Sequence, residues 1–200
     1  MIFVDEMRKQ LDVMLHPGSM IKKGMSFGGA LRYYYKVVAI PMVVYIVLAL
    51  ILGSTGMLHN TGLLGPASGS LYIVGTGILL FVVLEPIGLF VDTAIFQFFG
   101  KYVFRKYKQG SNITFTAVTY AALASMLLYW LSLIPGAGLV IAIVLSIWSL
   151  VVLVIGLSKL QKISGKASLG VFIGSTIITI VIVMVVVLLA FSVASAAVHP

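Results

Sequence analysis

The chain contains no cysteine among its 200 residues, and only 9% of them are charged. The absence of cysteine excludes a disulfide framework, a thiol redox pair and a metal site built from thiolates. The scarcity of charge excludes a soluble enzyme domain, because soluble domains are about 25% charged and about 45–50% apolar. This chain is 61% apolar, with a mean hydropathy of +1.18. The surplus of apolar side chains must therefore face lipid.

Five long apolar blocks fill most of the chain. A helix needs about 20 residues to cross a hydrocarbon core of about 30 Å, and each block reaches or nearly reaches that length. No block shows the alternation that is typical of a membrane β-barrel strand. The sequence therefore predicts an all-α, polytopic membrane protein with five transmembrane helices. The blocks are residues 37–53, 71–104, 113–133, 139–157 and 169–191.

The basic residues are confined to alternate connections between the blocks. Six precede the first block, four lie between the second and third, three lie between the fourth and fifth, and the other connections have none. Because lysine and arginine accumulate in cytoplasmic loops, we expect a cytoplasmic N-terminus and a C-terminus outside. The formal net charge of +8 then reflects topology, and no nucleic-acid partner is expected. The second block is predicted to cross only once, since two crossings would break the alternation.

Residues 1–32 are predicted to form a cytoplasmic and interfacial segment ahead of the five-helix bundle, residues 33–200, in a single domain. Apolar residues recur every three or four positions from Phe3 to Met14, with charged residues between them. This spacing predicts an amphipathic helix, which Pro17 and Gly18 end. We expect the helix to lie in the membrane interface; docking onto a partner protein is the alternative.

Glu85 is the charged residue that neither the topology nor the N-terminal segment explains. Counting about 1.5 Å per residue along the second crossing places it about 7 Å from the bilayer centre, where a charged acid costs on the order of 3 kcal/mol. One hypothesis is a cation or proton site in a small transporter or channel, shared with Asp92 two turns away on the same face. The other is hydrogen bonding that fixes helix packing. The candidate partners at similar depth are Thr116, Thr119, Tyr120 and Thr176.

Two further sets of residues predict contacts with lipid and between helices. The basic segment after the second crossing is a candidate for binding anionic lipid, although it could equally be a topogenic signal alone; it contains Lys101, Arg105, Lys106 and Lys108. Rows of small residues predict close helix packing, within the chain rather than in a dimer. These rows are Gly170 and Gly174 in the fifth block, and Ala117, Ala121 and Ser125 in the third.

The residues of a catalytic site are missing. By the predicted topology, the three histidines (His16, His59 and His199) lie on different sides of the membrane. The sequence also lacks a zinc-binding histidine-glutamate motif, a phosphate loop, a dinucleotide fingerprint and a nucleophile elbow. We therefore expect a protein that is not an enzyme and that binds no cofactor or metal.

Short motifs follow one another in a fixed order along the chain. They are L-H-P at 15–17, G-A-L at 29–31, S-N-I-T-F at 111–115, L-I-P-G-A-G at 133–138, I-W-S-L at 147–150, G-L at 156–157 and K-I-S-G-K-A at 162–167. This order resembles the Yip (Ypt/Rab-interacting protein) membrane family, and the first two motifs are similar to its prokaryotic members. The resemblance implies five helices and a cytoplasmic N-terminus.

The resemblance also implies a type of function. The eukaryotic members of the family are implicated in vesicle trafficking, in binding Rab GTPases and in shaping early secretory membranes. This compact chain is similar to the prokaryotic members, which have no Rab partner. We therefore expect a non-enzymatic protein of a prokaryotic cell membrane that organises the membrane through lipids, a second copy of itself or other membrane proteins. The small transporter that uses Glu85 is the alternative.

The substitution Glu85→Gln tests the ion-site hypothesis. An amide keeps the size of the side chain, so we expect the variant to fold under either hypothesis. If Glu85 is a cation or proton site, liposomes that contain the variant lose ion flux relative to the native protein. Unchanged flux would leave hydrogen bonding between helices as the role of Glu85.

Overall fold

The computed structural model describes residues 2–21, 23–54, 70–134 and 136–198. All regular secondary structure in this part of the chain is helical, which confirms the all-α prediction. Its α-helices are α1 (Ile2–Leu15), α2 (Pro17–Met20), α3 (Phe27–Ser54), α4 (Ser70–Leu79), α5 (Glu85–Phe98), α6 (Ser111–Met126), α7 (Gly138–Gln161) and α8 (Gly165–Val198). Two π-helical turns (Leu80–Leu84 and Phe99–Val103) and a 3-10 turn (Tyr129–Leu133) continue these helices.

Five helical segments are long and apolar enough to cross a membrane, which confirms the predicted number. They are Phe27–Leu52, Val74–Val103, Ser111–Leu133, Gly138–Gln161 and Gly165–Val185. The second is one unbroken helical path through α4, the first π-turn, α5 and the second π-turn, so the long second block crosses once. The first and fifth helices begin before the predicted blocks, because polar and glycine residues extend each helix beyond its apolar part.

Helix α6 lies at the centre of the bundle. In the apolar 18-residue window of its span, 56% of the residues are buried, against 17–28% in the windows of the other four spans. It packs against α1, α3, α5 and α7, while α8 packs on the outside against α7 and α5. The other spans keep large apolar side chains exposed, as helices in contact with lipid require. Three of the buried polar residues lie in α6, namely Thr114, Thr116 and Thr119.

The predicted N-terminal helix forms as α1 and packs against its own bundle. The Gln10 side chain is completely buried: its Nε2 donates to the Tyr120 carbonyl oxygen (3.2 Å), and its Oε1 accepts from the Tyr33 hydroxyl (3.0 Å). The Trp148 Nε1 donates to the carbonyl oxygen of Met14 near the end of α1 (2.9 Å). Three helices of the bundle therefore hold α1 through hydrogen bonds.

Helix α1 lies across α3, with its polar and apolar sides facing different parts of that helix. On one side, a Glu6 carboxylate oxygen lies 3.8 Å from the Lys36 Nζ. On the other side, Leu11 lines an apolar cavity with Pro41 and Val44, further along α3. The polar and apolar sides of α1 therefore contact different parts of α3, and the position of α1 in the membrane interface stays a prediction.

The connection from the 3-10 turn to α7 requires glycine at two positions. Gly136 has a φ of +79°, in the left-handed region where other residues are strained. A Cβ on Gly138 would collide with the Ser132 carbonyl oxygen. The conformation of this turn therefore explains both glycines of the L-I-P-G-A-G motif.

Single cysteines can test the predicted orientation, because the chain has no native cysteine. Ser54 ends α3, and Lys108 lies in the loop between the second and third crossings; both are exposed. We expect an impermeant maleimide added to intact cells to label Ser54→Cys, and to label Lys108→Cys only after the membrane is opened. Labelling of both from the same side would contradict the predicted topology.

Candidate functional site

The first turns of α3, α6 and α8 and the last turns of α5 and α7 lie together at one end of the bundle. The Phe27 ring centroid lies 6.2 Å from that of Phe90 and 5.1 Å from that of Phe115. The Ser168 hydroxyl donates to the Val154 carbonyl oxygen (2.8 Å). We call this region the basic end. Its basic residues are Arg32, Lys36, Lys101, Arg105, Lys106, Lys108, Lys159, Lys162 and Lys166.

A buried network of polar side chains joins α5, α6 and α7 at the basic end. The Thr114 hydroxyl donates to Gln97 Oε1 and accepts from Gln161 Nε2 (2.8 Å). The same two glutamines bond the backbone of Gln109: its carbonyl oxygen accepts from Gln97 Nε2 (3.1 Å), and its N–H donates to Gln161 Oε1 (3.1 Å). The network therefore attaches the loop 104–110 to three helices.

This loop, which we call the basic loop, turns back over the end of the second crossing. The Gly100 carbonyl oxygen accepts from the N–H groups of Lys106 (2.8 Å) and Tyr107 (3.0 Å). The Tyr107 ring is buried against Gly100, where a Cβ would collide with it. Its hydroxyl has no hydrogen-bond partner in the described part of the chain, and burial raises its pKa. The predicted lipid contacts are exposed around this anchor: Lys101, Arg105, Lys106 and Lys108.

Pro86 determines the backbone around Glu85. The Glu85 N–H donates to the Leu80 carbonyl oxygen, five residues back, which makes this turn π-helical. The Phe81 carbonyl oxygen thereby loses its usual donor. Because proline has no N–H, the Val82 carbonyl oxygen loses its donor as well. Two backbone acceptors are left free in the second crossing.

Two consecutive tyrosines of α3 supply the missing donors. The Tyr34 hydroxyl donates to the Phe81 carbonyl oxygen (2.8 Å), and the Tyr35 hydroxyl donates to that of Val82 (3.1 Å). Tyr34 is completely buried. The tyrosine run therefore joins the first two crossings.

These contacts place Glu85 nearer the basic end than residue counting indicates. Phe81 is held by Tyr34, and Phe90 stacks on Phe27 at the start of α3. Glu85 lies between these two contacts, level with the first turns of α3, which also carry Arg32. The contacts between α3 and the second crossing set the depth of Glu85, and counting residues along one apolar block does not include these contacts.

The structure does not join Glu85 to its four predicted partners. The hydroxyls of Thr116, Thr119 and Thr176 each donate to the carbonyl oxygen four residues earlier in their own helices. Thr116 also accepts from the Met25 N–H (2.8 Å), and the Tyr120 ring packs edge-on against Tyr33. None of the four is hydrogen-bonded to Glu85 within the described ranges.

Asp92 also lies apart from any ion cluster in the described residues. Its side chain is exposed, whereas that of Glu85 is partly buried. Across residues 2–21, 23–54, 70–134 and 136–198, no group of three potential metal ligands lies together. Two of the three histidines, His59 and His199, lie outside the described residues. The arrangement of Glu85 and Asp92 therefore adds no geometric support to the transporter hypothesis.

The small residues of α6 lie in its contact with α7. Ala117 and Ala121 are buried. A Cβ on Gly156 would lie 3.3 Å from the Cβ of Ala117, so the two helices approach closely there. The Ser149 hydroxyl donates to the Ala121 carbonyl oxygen (2.6 Å), which adds a polar bond to this contact.

The glycines of α8 differ from this pattern. A Cβ on Gly174 would collide with the Phe104 ring, so this glycine accommodates an aromatic side chain of the basic loop. The position of a Cβ on Gly170 has no neighbour within 4 Å among the described residues. The structure therefore places no helix backbone against either glycine.

Two cavities lie on opposite sides of α1. The larger has a volume of about 430 Å³ and is lined by Lys9 of α1 and by Arg32 and Lys36 of α3, among others. The smaller, of about 230 Å³, is apolar and is lined by Leu11 and Trp130, among others. The sequence predicted neither cavity, because each depends on how α1 rests on α3.

The family profile of the Yip1 domain matches residues 12–192 of the chain. The chain belongs to the Yip1 domain family. The match begins within α1 and ends within α8, so the Yip1 domain includes all five crossings. No curated protein sequence and no solved structure matches the chain significantly.

Sequence reasoning missed three glutamines of this Yip1 domain, of which Gln10 and Gln161 are buried and Gln97 is partly buried. They join elements that are far apart in the sequence. The available signal was an amide within or beside an apolar run, since a buried amide needs hydrogen-bond partners. These side chains carry no charge, so a pattern of charged residues does not reveal them.

Removal of the Tyr34 hydroxyl should destabilise this Yip1 domain. Tyr34→Phe leaves the Phe81 carbonyl oxygen buried without a donor, which costs about 1–3 kcal/mol. Tyr45→Phe is a matched control, because Tyr45 is also buried and its hydroxyl makes no hydrogen bond in the described part of the chain. The measurement is the free energy of unfolding in detergent.

A second substitution tests whether Pro86 causes the loss of backbone hydrogen bonding that the Tyr34 hydroxyl replaces. Pro86→Ala restores an N–H, which allows the turn to return to α-helical bonding and gives the Phe81 carbonyl oxygen a backbone donor again. We therefore expect Tyr34→Phe to cost less in that background. An equal cost in both backgrounds would contradict the assignment of the Tyr34 bond to the acceptor that the π-turn before Pro86 leaves free.

Proposed function

We propose that this protein binds anionic lipids at the cytoplasmic surface of its membrane and organises that membrane without catalysis. The observation that carries the proposal is the basic loop, whose exposed basic residues surround a backbone anchored by Gln97 and Gln161. The five membrane-spanning helices and membership of the Yip1 domain family support a role within the membrane.

The charge of the basic end fits an anionic lipid surface. Each lysine or arginine close to such a surface contributes about 1 kcal/mol to binding. The described residues of the basic end include nine of these side chains, which lie in four of the five crossings and in the connections between crossings. The positive-inside rule places them on the cytoplasmic side, where anionic headgroups attract them.

The anchoring of the basic loop favours binding over a purely topogenic role. Ordering a flexible loop on binding costs free energy, and a loop that already has a fixed conformation avoids much of this cost. A loop that only directs topology needs positive charge but no particular conformation. The buried amide network fixes a conformation, which supports recognition by this loop.

The proposal extends to location and partners. A prokaryotic cell membrane is the proposed location, and its lipids are the first partners. A second copy of the chain or another membrane protein is a further partner class, which would contact the exposed apolar faces of the outer spans. The proposal includes no small GTPase and no nucleic acid.

Neutralisation of the basic loop, together with Lys101 in the turn before it, tests the proposal. We expect the combined variant K101Q/R105Q/K106Q/K108Q, in vesicles of phosphatidylcholine and phosphatidylglycerol, to bind phosphatidylglycerol about 10³-fold more weakly, since the four residues contribute about 1 kcal/mol each. The measurement is the enrichment of phosphatidylglycerol around the purified protein, at low and high salt. The loss should be largest at low salt, because salt screens surface charge.

The matched control is K101R/R105K/K106R/K108R, which keeps the charge and should keep the binding. Because the basic loop can also direct topology, the Ser54→Cys label reports whether each variant keeps its orientation. Equal phosphatidylglycerol enrichment in both variants, with orientation unchanged, would contradict the proposal.

A further inference from the structure

We propose that the larger cavity beside α1 binds a phosphate group, such as that of an anionic lipid headgroup. The inference rests on the proposed function, since it assigns the anionic ligand a defined site. That site lies between α1 and α3, apart from the basic loop. It has a volume of about 430 Å³, within the range of about 300–1,000 Å³ that is usual for small-ligand sites.

Three basic side chains line the cavity from two helices. Arg32 and Lys36 are four residues apart on α3 and therefore lie one above the other on the same face. Lys9 approaches from α1. The guanidinium of Arg32 can form two parallel hydrogen bonds with a phosphate, while the lysines add point charges.

The cavity keeps a net positive charge. Glu6 is the acid in its lining, and its carboxylate lies 3.5 Å from the Lys9 Nζ and 3.8 Å from the Lys36 Nζ. Arg32 forms no ion pair with any described residue. With Glu6 counted against the three basic groups, the lining carries a formal charge of +2. A phosphate group complements this charge and can displace Glu6 as the partner of the lysines.

The remaining lining suits a headgroup at a membrane surface. Tyr33 and Tyr120 face each other edge-on, with ring centroids 5.7 Å apart, and border the basic side chains. The apolar cavity lies on the opposite side of α1. The basic cavity therefore lies on the polar side of this amphipathic helix, the side that an anionic headgroup would contact.

Occupation of the cavity should hold α1 more firmly on the bundle. A ligand that contacts Lys9 on one helix and Arg32 on the other connects them. Both tryptophans of the chain report on α1: Trp130 lines the apolar cavity with Leu11, and Trp148 donates to the Met14 carbonyl oxygen. Hydrogen exchange of α1 amides and tryptophan fluorescence can therefore detect binding.

The experiment uses the full chain in three preparations of lipid nanodiscs. One contains phosphatidylcholine alone, one contains phosphatidylcholine with phosphatidylglycerol, and one contains phosphatidylcholine with inorganic phosphate in the buffer. We expect phosphatidylglycerol to slow the exchange of α1 amides. Protection by inorganic phosphate alone would assign the site to a free phosphate group, whereas protection only by phosphatidylglycerol assigns it to the lipid.

Substitutions then locate the effect in the cavity. Arg32→Gln and Lys36→Gln should each weaken the protection of α1 about tenfold in apparent affinity, as loss of a charge-assisted hydrogen bond does. Arg8→Gln removes the same charge from an exposed position of α1, outside the cavity lining and the basic end, and should leave the protection unchanged. Arg32→Lys should keep most of the binding, which separates loss of the ligand from loss of the fold.

Glu6→Gln is expected to increase the affinity for phosphate, an effect that misfolding would not produce. Without the carboxylate, Lys9 and Lys36 are free to bind phosphate, so we expect apparent affinity to rise about threefold, the scale of a weak exposed ion pair. The inference is overturned if neither phosphate source protects α1, or if the Arg8 control matters as much as Arg32 and Lys36.

The outcomes also separate this inference from the proposed function. If neutralising the basic loop abolishes phosphatidylglycerol enrichment while Arg32→Gln leaves α1 protection unchanged, only the cavity assignment fails. If the cavity variants alone lose protection and the loop variant keeps its enrichment, the basic loop is overturned as the binding surface and the cavity stands.

Discussion

A polar group within hydrocarbon must find its partner inside the protein, and the architecture of this Yip1 domain follows from that constraint. Where Pro86 and the π-turn remove two backbone donors, Tyr34 and Tyr35 replace them. Threonine hydroxyls in α6 and α8 donate to carbonyl oxygens of their own helices. In α6, the most buried span, Thr114 also bonds Gln97 and Gln161, and Thr116 accepts from the Met25 N–H.

The same constraint concentrates the remaining polar chemistry at one end. The amides of Gln97 and Gln161 satisfy each other through Thr114 and bond the backbone of the basic loop. Gln10 has the corresponding role for α1. These buried bonds give fixed shapes to two segments that carry surface charge. Lipid recognition by the basic loop and by the cavity beside α1 both depend on that fixation.

Several features were predictable because they depend on composition and spacing alone. The five crossings, the single passage of the long second block and the amphipathic α1 are examples, and the structure confirms each as a helical element. Contacts between helices were less predictable. Thr119 was a candidate partner of Glu85, but its hydroxyl donates to the Phe115 carbonyl oxygen of its own helix. Gly174 was expected to face another helix, but Phe104 occupies that place.

The sequence by itself determined the solvent of this protein, the number of its crossings and the separation of its charges. These properties follow from the apolar content and order of residues, and every helical arrangement of the chain would share them. The tertiary structure alone decided which tyrosines bond the turn at Pro86, which amides fix the basic loop, and that Lys9, Arg32 and Lys36 line one cavity. Such contacts depend on the rotation of each helix about its axis and on its position along the bundle. Packing between residues that are far apart in the chain sets both.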